Sequence, residues 1–267
     1  MPPTGTPSAA VPMDFTEVLD FARRASAAYQ DEAAIRAVIG PQPALTTSVL
    51  RGVDVRAFVE VDERQHRQWV VVRGTANLLN AAEDADYTKV NAPELGIVVH
   101  QGFLDDAEAV WSFARSLLKP ELETRITGHS LGGALALLIA MRLHTQGFPV
   151  SRIVTFGQPK VTNEAGVGRF RDLPLLRIVN HDDPVPLLPW ETRGAAHDGF
   201  FRHLGSELWL TDRGTWEFFA EPQAERYVLT SFAAHVGREN PLEHEMARYL
   251  AKLEALAAAA ATTQAKP

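Results

Sequence analysis

The segment Thr127–Gly133, with the sequence Thr-Gly-His-Ser-Leu-Gly-Gly, constrains the fold of this chain more than any other feature. It places Ser130 in the pattern Gly-x-Ser-x-Gly, after a β-favouring stretch and before a wholly apolar run. This context predicts a sharp strand-to-helix turn that lifts the serine hydroxyl clear of a sheet. Side chains at Gly128 and Gly132 would collide with the neighbouring strand and helix, so we expect both positions to require glycine.

The motif alone also fits an ordinary glycine-rich turn in which Ser130 is a helix N-cap. At average glycine and serine frequencies, a bare Gly-x-Ser-x-Gly occurs in roughly one chain in ten of this length. The flanking strand and buried-helix patterns therefore carry the interpretation of Ser130 as a nucleophile. A helix N-terminus beside the serine would also favour negative charge that develops there.

Composition limits the classes of protein that this chain can represent. With 267 residues, 46% of them hydrophobic, the chain is long enough for one large α/β domain. The formal net charge of −7 argues against a nucleic-acid partner, which would need a basic surface. The chain has no cysteine, which excludes disulfides, thiolate metal sites and a cysteine nucleophile.

The ends of the chain differ from its middle. We expect a flexible leader at residues 1–13, an α/β domain at 14–257 and a flexible tail at 258–267. The leader has no Lys or Arg and no apolar core, so we expect no secretory signal, and location stays open between cytoplasm and secretion. No apolar run approaches the length of a membrane span, and we expect no integral membrane segment.

Hydrophobic periodicity predicts strands that alternate with helices, which favours a mostly parallel sheet covered by helices on both sides. The predicted helices are Asp14–Ile39, Asp105–Leu118, Leu131–His144 and Pro241–Leu256. The predicted strands are the hairpin Val53–Val61 with Gln68–Val72, then Gly96–Val99, Arg125–Thr127, Arg152–Phe156, Leu175–Val179, and more weakly Leu208–Leu210 and Tyr227–Leu229.

A nucleophilic serine needs a base and an orienting acid, which in folds with this turn follow in the order Ser, Asp or Glu, His. After the predicted strand Leu175–Val179, either Asp182 or Asp183 fits the acid, although an Asp-Pro turn is the ordinary alternative. The later histidines are His197, His203, His235 and His244. The residues alone do not separate His235 from His244, and we expect no metal or cofactor because no ligand motif is complete.

Several segments taken in order resemble the class 3, fungal-type lipase family, over roughly Phe15 to Leu250. The Thr127–Gly133 turn matches the family motif residue for residue. The other similar segments are Val71–Thr75, His100–Phe103, Thr155–Pro159, Asn180–Pro189, His203–Glu207 and Glu243–His244 with Tyr249. The resemblance implies an α/β-hydrolase fold with a mostly parallel central sheet, flanking helices and a short lid segment.

The resemblance also implies roles for individual residues. Asp183 takes the place of the family's acid and His244 that of its base, with Glu243 replacing the usual Asp before it. Leu131 and Thr75 are implied as oxyanion-hole donors, Leu131 through its N–H and Thr75 through its N–H and hydroxyl. His181 and Asp182 then have no catalytic role, and His203 is a structural residue.

The implied lid is Ala76–Tyr87, in which Asp84 takes the position of an acid that braces the oxyanion residue. Because this segment has no Trp or Phe, we expect a modest lid and only transient contact with a lipid interface. The ordinary alternative is a short helix with a solvated acidic end. Leu187, Leu188 and Trp190 either line an acyl groove or belong to the core.

The expected function is carboxylic-ester hydrolysis, with an acylglycerol as substrate, a Ser-Asp-His triad and an acyl-enzyme. Phospholipase A1 and feruloyl-type esterase are alternatives that share this machinery. A catalytically inactive relative that only binds lipid is an alternative of a different class.

Overall fold

The computed structural model describes residues 13–50, 54–75, 88–189, 199–221 and 240–264. The helices are α1 (Phe15–Ala27), α2 (Glu32–Ile39), α3 (Gln101–Ala114), α4 (Leu131–Thr145), α5 (Glu164–Arg169) and α6 (Met246–Gln264), with short 3-10 helices at Val185–Leu187 and Pro241–His244. The strands are β1 (Ala44–Leu50), β2 (Val55–Asp62), β3 (Arg67–Arg73), β4 (Lys89–Ala92), β5 (Ile97–His100), β6 (Glu123–His129), β7 (Val150–Phe156), β8 (Thr162–Asn163), β9 (Leu175–Asn180), β10 (Phe201–Arg202), β11 (Ser206–Leu210) and β12 (Trp216–Phe219).

Within these described ranges, eight strands form the main sheet in the order β1-β2-β3-β6-β7-β9-β11-β12. The strands from β3 to β11 run parallel, whereas β1, β2 and β3 pair antiparallel at one edge and β12 pairs antiparallel with β11 at the other. The mostly parallel sheet and the predicted β2–β3 hairpin are therefore confirmed. A smaller antiparallel sheet has the order β10-β8-β5-β4.

The core lies on both faces of the main sheet because its strands alternate their side chains. In β3, Val70 and Val72 pack into the layer that contains α3, α4 and α5. Trp69 and Val71 pack into the opposite layer, which contains α1, α2 and α6. Helix α4 is buried over almost its whole length, as its apolar sequence predicts, since it lies directly on the parallel strands.

Three predicted helices have different ends in the structure. The first divides into α1 and α2, because Asp31 caps a new helix by accepting a hydrogen bond from the N–H of Ala34 (2.9 Å). Helix α3 begins earlier than predicted, because His100 caps it at the N–H of Phe103 (3.4 Å). The last predicted helix is a 3-10 turn at Pro241–His244, followed by α6, which continues beyond the predicted domain end at residue 257 to Gln264.

Some predictions fall outside the described residues: the strand Tyr227–Leu229, the lid Ala76–Tyr87, and the leader up to residue 12. Among the helices that are described, none combines the length and apolar character needed to cross a bilayer.

Candidate active site

The turn after β6 has the sharp geometry that its sequence predicts. Ser130 has φ 62° and ψ −134°, a conformation that costs a non-glycine residue about 1–3 kcal/mol, and α4 begins at the next residue. A Cβ at Gly128 would lie 2.2 Å from the carbonyl oxygen of Gly132, and a Cβ at Gly132 would lie 2.3 Å from the carbonyl oxygen of Val72 in β3. The predicted collisions are thus confirmed, and the close approach holds the serine at the carboxyl end of the sheet.

The structure brings Ser130, His244 and Asp183 into one hydrogen-bonded row. The Nε2 atom of His244 lies 2.8 Å from the hydroxyl oxygen of Ser130. Its Nδ1 atom lies 2.9 Å from Oδ2 and 3.1 Å from Oδ1 of Asp183. Because a carboxylate only accepts hydrogen bonds, Nδ1 must carry the proton, which leaves Nε2 free to accept the serine hydroxyl proton.

The carboxyl group of Asp183 is buried, with 4% of the residue exposed, at the end of β9. Burial alone would raise its pKa, but the electrostatic interaction with His244 and hydrogen bonds from His244, Tyr249 and the N–H of Val185 (2.9 Å) hold the pKa below its usual value. The carboxylate therefore stays ionised and points at the imidazole.

The alternative acid and base candidates lie elsewhere or outside the described residues. Asp182 contacts His181, with 3.1 Å between its Oδ2 and the Nδ1 of that histidine, rather than His244. His203 is buried and its Nε2 lies 2.7 Å from the carbonyl oxygen of Pro186. His197 and His235 are outside the described residues. Of the candidates that can be compared, the geometry favours Asp183 and His244.

His244 lies in the 3-10 turn that precedes α6, not in the first turn of a helix as the sequence predicted. The break occurs because Glu245 is extended, with φ −64° and ψ 127°. Asn180, at the end of β9, donates from Nδ2 to the carbonyl oxygen and to Oε2 of Glu243, both at 2.8 Å. Glu243, which replaces the family's Asp, thus ties the turn to the strand that precedes Asp183.

Gly157 is a residue of the site that the sequence analysis did not single out. It follows β7 with φ 55°, and a Cβ there would lie 2.8 Å from Oδ2 of Asp183 and 2.9 Å from Nδ1 of His244. The backbone of Gly157 therefore fills the space beneath the Asp–His contact, where a side chain cannot fit. The feature that marks Gly157 is its positive φ, and a backbone angle cannot be read from the sequence.

The two predicted oxyanion-hole residues directly follow Ser130 and Gly74 in the chain. Leu131 is the first residue of α4, where helical N–H groups have no carbonyl partner within their own helix. Thr75 is half-buried and directly follows Gly74. A Cβ on Gly74 would lie 2.8 Å from Cβ of Ser130 and 3.2 Å from the N of Leu131. Gly74, the residue after β3, therefore packs directly against the turn.

The predicted acyl-groove and lid residues are only partly described. Leu187 is half-buried and Leu188 is buried, in and after the 3-10 helix that follows Asp183. Trp190 and the lid residue Asp84 lie outside the described residues. Within the described part of the chain, no group of three His, Asp or Glu side chains is arranged to hold a metal ion.

Comparison with known proteins finds similarity to one family. The profile of the family described as Lipase (class 3) matches residues 69–193, which include Ser130 and Asp183. A curated lipase of Rhizomucor miehei is 33% identical over 172 residues, which cover 60% of this chain and 46% of that protein. Over these residues the chain is similar to class 3 lipases.

A second relative is secreted mono- and diacylglycerol lipase 1 of Fusarium solani, 32% identical over 165 residues, which cover 58% of this chain and 47% of that protein. The chain thus spans about half the length of the curated relatives it matches. The solved triacylglyceride lipase of Rhizomucor miehei aligns with a TM-score of 0.73 at 26% identity, covering 89% of this chain and 95% of that chain. The expected α/β-hydrolase fold is confirmed.

Proposed function

We propose that this protein is a class 3 lipase, a serine carboxylic-ester hydrolase that cleaves acylglycerols. The observation that supports the proposal most directly is the row Ser130–His244–Asp183, with 2.8 Å between the hydroxyl oxygen and Nε2 and 2.9 Å between Nδ1 and the carboxylate. The imidazole of His244 has the proton arrangement that a catalytic base requires, because its Nδ1 donates to Asp183 and its Nε2 accepts from Ser130.

The reaction has two halves. Ser130 forms a bond from its hydroxyl oxygen to the ester carbonyl carbon while its proton moves to Nε2 of His244, and the carbonyl electrons move onto oxygen. When this intermediate collapses, the bond to the alcohol breaks and Nε2 returns the proton to the leaving oxygen. Water then attacks the acyl-enzyme by the same steps and releases the carboxylic acid and free Ser130. Asp183 stabilises the imidazolium that forms in each half.

The negative oxygen needs donors that are already in place. The N–H of Leu131, together with the N–H and hydroxyl of Thr75, is proposed to provide them, since Leu131 directly follows Ser130 and the residue before Thr75, Gly74, packs against the turn. Preorganised donors of this kind typically lower the barrier by about 3–4 kcal/mol each.

The substrate class follows from the relatives rather than from the triad, which any ester hydrolase could use. One solved relative is a triacylglyceride lipase and one curated relative is a mono- and diacylglycerol lipase. Phospholipase A1 and feruloyl-type esterase activities remain alternatives with the same machinery. Transient lipid contact through residues 76–87, with weak interfacial activation, remains a prediction from the sequence.

The first experiment compares hydrolysis of a soluble chromogenic ester by the wild type, Ser130→Ala and the control Ser151→Ala, which removes a half-buried serine hydroxyl at β7. Loss of the nucleophile typically lowers kcat by about 10⁴- to 10⁶-fold, whereas the control should keep wild-type activity. A reactive phosphonate should add one mass increment to the wild type and none to Ser130→Ala. Activity that survives Ser130→Ala would rule out the mechanism.

The second experiment measures rates on triacylglycerols, phospholipids and feruloyl esters of matched solubility. We expect the acylglycerols to be hydrolysed fastest, with a smooth rise as a triacylglycerol passes its solubility limit. Faster phospholipid cleavage at the sn-1 position would replace the proposed substrate, and a many-fold jump at the solubility limit would contradict weak interfacial activation. A wild type that is inert on every ester would support the lipid-binding alternative.

A further inference from the structure

His129, the residue before Ser130 in the turn, contacts the base from the side opposite to Asp183. Its Nε2 atom lies 2.7 Å from the backbone carbonyl oxygen of His244. The two imidazole rings also stack, with centroids 4.6 Å apart and an angle of 29° between their planes. His129 therefore contacts both the backbone and the ring of the base.

Tyr29 completes this arrangement from the end of α1. Its hydroxyl oxygen lies 2.7 Å from Nδ1 of His129. The guanidinium of Arg73, the last residue of β3, lies over the Tyr29 ring, 5.8 Å from its centroid. Tyr29 thus joins the turn to the end of β3.

The chemistry of these groups fixes the direction of every hydrogen bond. The carbonyl of His244 only accepts, so Nε2 of His129 carries the proton and Nδ1 accepts. The Tyr29 hydroxyl must then donate to Nδ1. The result is an unbroken chain from Tyr29 through His129 to the carbonyl of His244.

This chain requires a neutral His129, and the environment keeps it neutral. Burial, together with the neighbouring His244, lowers the pKa of His129 to about 3. Burial also raises the pKa of Tyr29 to about 12. Besides these two groups, Arg73 faces Tyr29, and Asp183 and His244 act on His129. A neutral ring against His244 avoids placing a second positive charge beside the imidazolium that forms during the reaction.

The base needs such support because its turn is short. His244 is the last residue of the four-residue 3-10 helix Pro241–His244. Asn180 holds the preceding residue, Glu243, from the β9 side. His129 holds the carbonyl of His244 itself from the β6 side, so the two contacts fix the turn from opposite directions.

We propose that His129 and Tyr29 are positioning residues that hold the catalytic base His244 against Ser130 and couple its position to Arg73 at the end of β3. This rests on the proposed function, in which His244 is the base. The loss of this chain should lower the rate of the chemical step, because a misplacement of about 1 Å in a reacting group can cost a factor of about 100 in rate.

Three variants separate the contacts. His129→Phe keeps a flat ring against His244 but removes both hydrogen bonds, His129→Gln keeps a donor that can reach the His244 carbonyl, and Tyr29→Phe removes only the hydroxyl. On a soluble ester, with active sites counted by phosphonate titration, we expect kcat per active site to fall about 10- to 100-fold in His129→Phe. Tyr29→Phe should fall several-fold, His129→Gln should recover most of the loss, and KM should stay within about twofold.

His203→Phe is the matched control. His203 is also buried, also neutral, and has its Nε2 2.7 Å from a backbone carbonyl, that of Pro186, which lies outside the turn of the base. A purely structural role of buried histidines would lower thermal stability in both proteins and leave kcat per active site unchanged in both. That result for His129→Phe would overturn the proposal.

Ser130→Ala, measured in parallel, distinguishes the two proposals. If Ser130→Ala is inactive while Tyr29→Phe and His129→Phe keep wild-type kcat, the positioning role is wrong and the proposed function stands. If Ser130→Ala itself keeps its activity, the proposed function fails, and the role of His129 toward a catalytic base fails with it.

Discussion

The proposed triad at the carboxyl ends of β6 and β9 and the ion pair Arg177–Glu207 between β9 and β11 both bury charged groups, and they do so in opposite ways. The ion pair joins residues directly opposite in regular strand register, 2.9 Å apart, with 1% of each side chain exposed. The triad lies on irregular backbone, where Ser130 and Gly157 both have positive φ. The Arg177–Glu207 pair places two permanent charges on regular strands. The site places one charge, that of Asp183, among neutral groups on a strained backbone.

The difference separates what stabilises this fold from what the proposed reaction needs. A buried pair contributes stability only while both partners are present, because a lone charge in the interior is costly. The site instead keeps Asp183 ionised, and burial keeps the neighbouring His129 neutral, so that a proton can move between Ser130 and His244. Changes in the first region should therefore alter unfolding, and changes in the second should alter rates.

The largest effect should follow from Glu207→Leu, which leaves the guanidinium of Arg177 without this carboxylate. Removing one partner of a buried pair typically costs about 3–5 kcal/mol, and we expect a loss of this size in the free energy of unfolding measured with guanidinium chloride. Under conditions where the variant is folded, kcat on a soluble ester should change by less than about twofold.

The double variant Arg177→Met/Glu207→Leu tests the reason for that loss. Replacing both partners by apolar side chains removes the isolated charge, so most of the stability should return. Glu32→Gln, in a solvent-exposed pair with Arg36 on α2, should produce no resolvable change. A Glu207→Leu variant that is as stable as the wild type but catalytically impaired would contradict the division between the two regions.

In the site, Gly157→Ala should have the opposite signature. The new Cβ would lie 2.8 Å from Oδ2 of Asp183 and 2.9 Å from Nδ1 of His244, so the Asp–His contact must shift. Because such a displacement reaches the reacting atoms, we expect kcat to fall by about 100-fold, measured on a soluble ester per titrated active site.

Gly214→Ala is the control for the backbone. Gly214 has φ 72°, and a Cβ there would meet nothing within 4 Å, so this variant isolates the cost of alanine in a left-handed conformation. That cost is about 1–2 kcal/mol, and both variants should lose stability by a similar amount. Equal kcat values for the two alanine variants would show that Gly157 serves only the backbone.

Local patterns in the sequence indicate two parts of the proposed triad, the serine and an acid. Gly128 and Gly132 lie two residues to either side of Ser130, and Asp183 lies three residues after the apolar strand β9. The choice of Asp183 over Asp182 and of His244 over other histidines depended on the resemblance, because local pattern does not specify which side chains meet across the sheet.

The contacts that the sequence could not predict are long-range or depend on weak patterns. Tyr29 and His129 are separated by 100 positions, and the motif that contains His129 does not indicate which residue it contacts. Strand β1 was missed because most of its side chains are exposed or half-buried, so it lacks an apolar alternation. Helix α2 was merged with α1 because both have apolar helical spacing, and only the cap at Asp31 divides them.

A smaller effect concerns acid stability. His129 has a folded-state pKa of about 3, below its unfolded value, so between these values the unfolded chain binds a proton that the folded chain does not. Stability should therefore fall as pH falls below about 6.5, by up to about 1.4 kcal/mol per pH unit for this residue. Asp183, whose pKa is also lowered, contributes such a loss only below about 4.

His129→Phe should consequently lose less stability than the wild type between about pH 6 and pH 4.5, as measured by urea unfolding at several pH values. His203→Phe should show the same flatter dependence, since burial lowers the pKa of His203 as well. The kinetic effects of the two variants should differ, because only His129 contacts the base. Parallel stability curves for the wild type and both variants would show that these histidines are not kept neutral by the fold.

The smallest effect should come from Asp106 on α3, which belongs to neither region because it has a like charge beside it instead of an opposite one. Burial, with the charge of Asp105 as a second cause, raises the pKa of Asp106 to about 6. The folded state therefore favours the protonated carboxyl, and stability falls as pH rises from the unfolded value to the folded one. Asp106→Asn should raise the free energy of unfolding at pH 8, by about 1 kcal/mol or less because solvent screens a partly exposed group.

The same substitution should have no effect at pH 3, where both forms are neutral in the folded and unfolded chain. Asp105→Asn should give a smaller gain at pH 8, because it removes the charge but leaves the burial that is the larger cause. If Asp105→Asn gained as much as Asp106→Asn, repulsion rather than burial would dominate. A loss of stability in Asp106→Asn at pH 8 would mean that the fold stabilises the ionised carboxylate of Asp106. Asp106 would then resemble Glu207, whose charge is stabilised by the opposite charge of Arg177.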